Sequence, residues 1–399
     1  MRLQVSVGVY IQIMAFILII LLLHFALSEG WTNFDDLDVE EQLKIVNKPA
    51  VRSFQSGKGD IFDCVDMFKQ PAFDHPLLRN HKIQMRPTAF PEGKGAPRSI
   101  NASSHSKLMG FSCPKGTVPI RRTTKEELLT ARSLSEKSRN STRKLYIAES
   151  YYRAGVISFM GNYYGAKGAL NIWKPHVEGD DQYSAALVSV TRDGNDIQAG
   201  WMVNPGLFKD TSPRMFIFWS NNDDPVRCIN TLCPGFVTTG KLPLGAQMSW
   251  ISQYNDPNKQ HVKRFHLFRD ANTKNWWLKV GRIGELVGYW PSELVPKLTS
   301  DGAREIFWGG QVYPVNKRLR NLEMGSGHFP GEGYAKAAYV SKIMYALHDG
   351  PELINPSSDQ IDESVDKPTC YDVDPDVQYS EERGYYIFYG GKPNNFCPD

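Results

Sequence analysis

Ile197-Gln198-Ala199-Gly200-Trp201-Met202-Val203 alternates in character along its length, and that alternation decides the fold class. In an extended strand successive side chains point to opposite faces, so Ile197, Ala199, Trp201 and Val203 share one face and Gln198, Gly200 and Met202 the other. One face is built for a core. Similar short runs rich in aromatic and branched residues recur at Ala185 to Val190, Met215 to Trp219, Val262 to Phe268, Trp276 to Val280, Leu286 to Trp290, Ile306 to Tyr313, Tyr339 to Leu347 and Tyr385 to Tyr389. Gly, Pro, Asn and Asp separate them, which is the pattern of an antiparallel β-sandwich. Helical spacing is scarce in this half, apart from a possible turn at Ser292 to Leu298.

Upstream the texture differs. Val39 to Asn47 has helical spacing and stops at Lys48-Pro49, a second helix is expected at Lys125 to Ser135, and the chain between them reads as irregular. The expected class is therefore all-β, an antiparallel sandwich over residues 145–399 preceded by a small irregular or mixed pro-region at 29–144. Residues 1–28 read as a secretory signal peptide, because the apolar run Ile13 to Leu23 is preceded by Arg2 and followed by small residues at Ala26-Leu27-Ser28. An uncleaved anchor is the weaker reading, since Gln12 and His24 interrupt the apolar stretch and what remains is too short to span a bilayer. A secreted chain with no membrane contact after signal removal is the expectation.

The six cysteines suit an oxidising compartment. Fifteen pairings exist for six cysteines, and local spacing favours Cys64 with Cys113, Cys228 with Cys233, and Cys370 with Cys397. No CxxC or clustered histidine accompanies them, so no metal and no cofactor is expected. Asn101 and Asn140 begin Asn-X-Ser/Thr acceptors for glycosylation. The net charge of +3 hides a division: Arg79 to Lys144 holds 15 Lys and Arg against 4 Asp and Glu, and Leu145 to Asp399 holds 25 against 29. A basic segment facing a mildly acidic body is consistent with a pro-region held partly by charge, and nucleic acid is not an expected partner.

Longer motifs point to a family. They include Asn47-Lys48-Pro49-Ala50-Val51, Lys69-Gln70-Pro71-Ala72-Phe73-Asp74-His75-Pro76 and Cys113-Pro114-Lys115-Gly116-Thr117 in the first third. Further on come Ala199-Gly200-Trp201, Leu232-Cys233-Pro234-Gly235-Phe236-Val237, Asn275-Trp276-Trp277-Leu278, Glu285-Leu286-Val287-Gly288-Tyr289-Trp290-Pro291 and Met324-Gly325-Ser326-Gly327-His328-Phe329-Pro330. Through these the chain resembles the plant neprosin family. The resemblance implies an N-terminal activation peptide and a β-sandwich glutamic endopeptidase that cuts after proline in acid with two glutamates. Aligned on it, those glutamates fall at Gln198 and Gln311, the latter in Trp308-Gly309-Gly310-Gln311.

A carboxamide has the shape of a carboxylate but cannot take a proton from water. Two glutamines leave no base, so the expectation is an impaired peptidase that still binds proline-containing peptides and its own pro-region. An active Gln-Glu pair is the alternative, with Glu285 as the partner of Gln198. A carboxylate within hydrogen-bond reach of Gln198 favours an enzyme, and a lone amide pair opposes one. Glu323 and Glu332 read as solvated charges, and Ser326 with His328 lacks the Asp of a triad. Trp201, Trp219, Tyr289, Trp290 and Trp308 are candidates for lining a peptide groove. A third class, a cell-wall or carbohydrate-binding sandwich, predicts an open aromatic strip outside the groove.

Overall fold

The computed structural model describes residues 37–57, 59–89, 112–131, 151–159, 161–180, 182–222, 226–314, 319, 321–349, 352–394 and 397. The expected signal peptide, Asn101, Asn140 and the boundary expected near residue 144 lie outside them.

Two antiparallel sheets pack face to face. The first has seven strands in the order β16-β4-β14-β6-β7-β8-β9. These are β4 (Tyr152–Ser158), β6 (Tyr183–Arg192), β7 (Asn195–Val203), β8 (Arg214–Asn221), β9 (Val226–Ile229), β14 (Glu305–Tyr313) and β16 (Asp362–Val365). The second runs β10-β13-β12-β11-β5-β15-β19-β17, with β18 paired to β19. Its strands are β5 (Gly165–Asn171), β10 (Val237–Thr238), β11 (Val262–Arg269), β12 (Trp276–Val280), β13 (Glu285–Trp290), β15 (Ala338–Ala346), β17 (Asp372–Val373), β18 (Gln378–Ser380) and β19 (Gly384–Gly390). The fold is the expected all-β sandwich.

Between the sheets lies one core, to which Ile197, Ala199, Trp201 and Val203 contribute along with Leu170, Phe265, Leu278 and Val340. The alternation read from β7 holds: its apolar face is the one turned to the core between the sheets. Two tryptophans stitch the layers together, since Trp201 Nε1 donates to the Asn171 carbonyl and Trp308 Nε1 to that of Lys167, both at 3.0 Å. A buried indole N–H usually finds a partner, and β5 supplies one to each of these two.

The stretch before the sandwich is more ordered than its composition suggested. The helix Val39–Val46 forms as expected, capped by Asp38, whose side chain accepts from Glu41 N. Beyond it, β1 (Ala50–Gln55), β2 (Ile61–Asp66) and β3 (Thr117–Arg121) make a three-stranded sheet where irregular chain was anticipated. Cys64 of β2 is bonded to Cys113, just ahead of β3, and the other two disulfides, Cys228–Cys233 and Cys370–Cys397, also match the spacing argument.

Three contacts seat this N-terminal segment on the sandwich. Asp60 enters an ion pair with Arg214 of β8. The Gln70 amide mimics a strand: it accepts from Thr238 N at 2.7 Å and donates to Thr238 O at 3.1 Å, covering an exposed sheet edge. Finally Ala72, Phe73 and Ile83 pack on the outer side of the second sheet, over Phe268, Trp277 and Tyr289. Burying that apolar surface is the main favourable term, and the polar contacts fix its position.

Candidate functional site

Gln198 and Gln311 both lie on the outer face of the seven-stranded sheet, buried among its side chains. They do not meet. Strand β6 runs between their strands, with Ser189 opposite Gln198 and Ala185 opposite Gln311. Two strand spacings across and four residues along separate their Cα atoms by about 16 Å. Each amide is instead held locally. Gln311 Nε2 donates to the Tyr183 hydroxyl at 2.6 Å, and Tyr183 stacks on Tyr313 with ring centroids 5.5 Å apart.

The partner of Gln198 is a carboxylate. Its Nε2 donates to Asp196 Oδ2 at 2.6 Å, and Thr191 Oγ1 donates to Asp196 Oδ1 at 3.1 Å. Asp196 was not among the candidates, though the same period-2 rule that assigns Gln198 a face puts residue 196 on it. Asn195-Asp196 resembles turn punctuation, and that hid it. Asp196, Thr191 and Glu305 form one row across β7, β6 and β14. Arg153 of β4 bridges toward them, with Nη1 3.5 Å from Glu305 Oε1 and its guanidinium over the rings of Tyr151 and Phe307.

Burial pushes the Asp196 carboxyl above its ordinary 3.8, and nearby Glu305 adds to the rise, while Arg153, Gln198 and Thr191 oppose it. The result is a carboxyl that takes up a proton more readily than a solvated aspartate. Three buried polar atoms on this face, Ser189 Oγ, Gln311 Oε1 and Arg153 Nε, have no hydrogen-bond partner among the described residues. Buried polar groups are rarely left so, and a line of them across neighbouring strands fits an extended backbone laid over the sheet.

The remaining candidates lie elsewhere. Glu285 is on β13 of the other sheet, opposite Val280, and so is not the partner of Gln198. Trp201, Trp219, Trp290 and Trp308 belong to the core between the sheets. Their odd offset from the outward residues of their strands turns them inward. Tyr289 is on the outer side of the second sheet, beneath the N-terminal segment. The rings that share the face of Gln198 and Gln311 include Phe218, directly opposite Gln198, with Phe216, Phe307, Tyr183 and Tyr313, placed there by strand register. Ser326 Oγ accepts from His328 N, and His328 pairs with Glu332, so no nucleophile is assembled there. No group of three or more metal-ligating side chains occurs among the described residues.

At the third of those contacts, where the N-terminal segment lies over Tyr289, His81 Nε2 lies 2.8 Å from the Tyr289 hydroxyl, and His81 Nδ1 is 3.6 Å from Glu293. That histidine holds the Glu293 carboxyl down at about 2, against an ordinary 4.5. A depressed carboxyl stabilises above its unfolded value and loses that contribution as pH falls through its folded one. Hydrogen-exchange protection of residues 81–88, taken against the intrinsic exchange rate at each pH, is therefore expected to fall as pH drops from about 4.5 toward 2, and Glu293→Gln should reduce that dependence. Unchanged protection over that range would exclude this pair as the titrating contact.

A family model described as Neprosin matches residues 180–392, and one described as Neprosin activation peptide matches residues 53–165. Among solved structures, Scytalido-glutamic peptidase with a peptide-based transition state analog matches at 10% identity and a TM-score of 0.32, covering 61% of this chain and 98% of that one. SCP-B, described as a member of the Eqolisin family of peptidases and solved with the tripeptide Ala-Ile-His, matches at 10% identity and 0.30, over 61% and 98%. On each structure the covered part is the bulk of the compared protein. No helix among the described residues is long and apolar enough to cross a membrane. With residues 180–392, more than half of the chain, matched by the one model and an activation-peptide match ahead of them, the chain belongs to the neprosin family.

Proposed function

We propose that this chain binds extended, proline-containing peptides along the outer face of the seven-stranded sheet and cleaves them slowly in acid, after removal of a basic pro-region in a secreted setting. A peptidase-related function follows from the family; the mechanism is the reading offered. What carries it is the 2.6 Å contact between Gln198 Nε2 and Asp196 Oδ2. Asp196 takes a proton from water, whose oxygen bonds to the peptide carbonyl carbon. The second Nε2 hydrogen of Gln198 steadies the oxyanion. As the C–N bond breaks, Asp196 returns the proton to the departing amine. The stacked rings of Tyr183 and Tyr313 offer a flat apolar surface that suits a proline ring.

A second reading has its own observation. Among the described residues the Gln311 side chain has only the Tyr183 hydroxyl for a partner, so no second carboxylate stands at that position and the face would bind peptide without cutting it. One assay separates the two: the processed protein is incubated with a proline-rich peptide across the acidic range, with binding and cleavage followed in parallel. Cleavage after proline is the expected result. Binding without cleavage leaves only the second reading standing, and neither binding nor cleavage sinks both.

A further inference from the structure

Arg227 lies on β9, the edge strand of the seven-stranded sheet, directly opposite Ser220, which is itself opposite Asp196. Residues paired across antiparallel strands point the same way, so Arg227, Ser220, Asp196 and Gln198 share the outer face. Its neighbours on β9 agree, since Cys228 enters the core between the sheets and Ile229 packs on the apolar cluster of the outer face. Arg227 is half-buried, yet it makes no hydrogen bond, ion pair or ring contact among the described residues. Burial lowers its affinity for a proton, and Asp196 offsets only part of that. Asp196 is not its counter-ion: two strand spacings set their Cα atoms about 10 Å apart. Both Asp196 oxygens are taken, one by Gln198 and one by Thr191, and Glu305 is served by Arg153. A half-buried guanidinium without an anion costs stability, and a carboxylate that meets its fork of N–H donors removes that cost.

Strand order says where on a peptide that carboxylate belongs. Tyr183 and Tyr313, the stacked rings that suit a proline, are on β6 and β14, while Asp196 and Gln198 are on β7. Arg227 on β9 stands on the far side of β7 from those rings. With the proline toward the rings and its carbonyl at Gln198, the residues that follow the cut bond run on toward β9. Phe218, opposite both Gln198 and Ile229, gives them an apolar floor. An extended chain advances about 3.3 Å per residue, so about 10 Å brings the second or third residue after proline to Arg227.

We propose that Arg227 selects peptides carrying a carboxylate two or three residues beyond the proline, held by the guanidinium and supplied by an acidic side chain or by the free end of a short peptide. This selection rests on the peptide-binding reading of the face and adds a substrate class to it. The same arginine disfavours a peptide with lysine at those positions.

The test uses the processed protein and four fluorescent proline peptides at about pH 5.5, where a glutamate carboxyl is ionised. Three have blocked ends and carry Glu-Glu, Gln-Gln or Lys-Lys as the second and third residues after proline, and the fourth ends in a free carboxylate at the second. Binding is followed by anisotropy, with cleavage in parallel. The Glu-Glu peptide, the free-ended peptide or both should bind about tenfold or more tighter than Gln-Gln, with Lys-Lys weakest, and the gain in cleavage should lie in KM rather than kcat. Which of the two gains tells a side chain from a chain end. Arg227→Gln should erase the preference, Arg227→Lys should keep part of it, and Arg227→Glu should turn it toward Lys-Lys. The comparison among peptides needs only the parent, so it stands even where a variant folds poorly, which melting curves identify. Equal binding of the Glu-Glu, free-ended and Gln-Gln peptides by the parent overturns the proposal and leaves the peptide-binding reading standing, whereas binding of none overturns both. A preference for carboxylate that survives in folded Arg227→Gln belongs to another cation and also overturns it.

Discussion

Asp196→Asn is expected to lower cleavage of a proline-containing peptide by about 10²-fold or more at acidic pH, with the fold left intact. Asparagine keeps the shape. Its carbonyl still accepts from Gln198 Nε2, and the Thr191 hydroxyl can rotate to accept from its amide, so both existing contacts find replacements. Only proton transfer is removed. The pH profile supplies a second readout. A base must be ionised, and burial holds the Asp196 carboxyl above 3.8, so activity of the parent should climb as pH rises through that raised value. Gln198→Glu would set two carboxyls in contact, force one pKa higher still, and move that limb upward. Full activity in Asp196→Asn would assign the base elsewhere, Glu305 being the other carboxylate in the row.

How much of this was legible beforehand depends on which physical signal each element leaves in sequence. β7, β12 and β14 announce themselves because aromatic and branched residues alternate with small or polar ones. β5 does not, although it lies in the middle of its sheet. Its Gly165-Ala166-Lys167-Gly168-Ala169 has low strand propensity, and the reason is packing: a Cβ on Gly168 would come within 3.0 Å of Trp308 Cδ1 and Val340 Cγ1. The three-stranded N-terminal sheet was hidden similarly, since β2 and β3 are separated by a long polar stretch and closed by a disulfide. Local spacing was enough for all three cysteine pairs. At the candidate site, period 2 put Gln198 on the face away from the apolar one, and the structure sets Gln311 on the same side of the sheet, yet the period carries no information about strand order. The insertion of β6 between β7 and β14, and the four-residue stagger it imposes, are long-range facts. They part the two glutamines and leave Asp196 as the neighbour that counts.

Breaking the Asp60–Arg214 pair is expected to cost about 3–5 kcal/mol, because removing one partner strands a buried charge. Their side chains are only 6% and 2% exposed, and Arg214 Nη1 donates to both Asp60 oxygens at 3.0 Å. Asp60 also accepts from Arg121 Nε at 2.9 Å, and Arg121 continues to Glu127 at 2.6 Å, while Arg214 pairs with Asp210 as well. Both guanidiniums lie over the Phe208 ring, 5.5 and 5.1 Å from its centre. Asp60→Ala would leave two arginines facing each other around an empty anion position, far from water. Because Asp60 belongs to the activation-peptide segment and Arg214 to β8, the loss should appear twice: as a lower melting temperature of the intact chain, and as faster proteolysis of the segment. The exposed Lys125–Glu40 pair, also within that segment, is the control, and its removal should be unresolved in the same melt. In a double-mutant cycle, Asp60→Ala combined with Arg214→Met should cost less than the sum of the single changes, since the second removes a charge the first had stranded. Additive costs, or an Asp60→Ala segment as protease-resistant as the parent, would mean that the apolar seat on Phe268, Trp277 and Tyr289 holds the activation peptide without this ion pair.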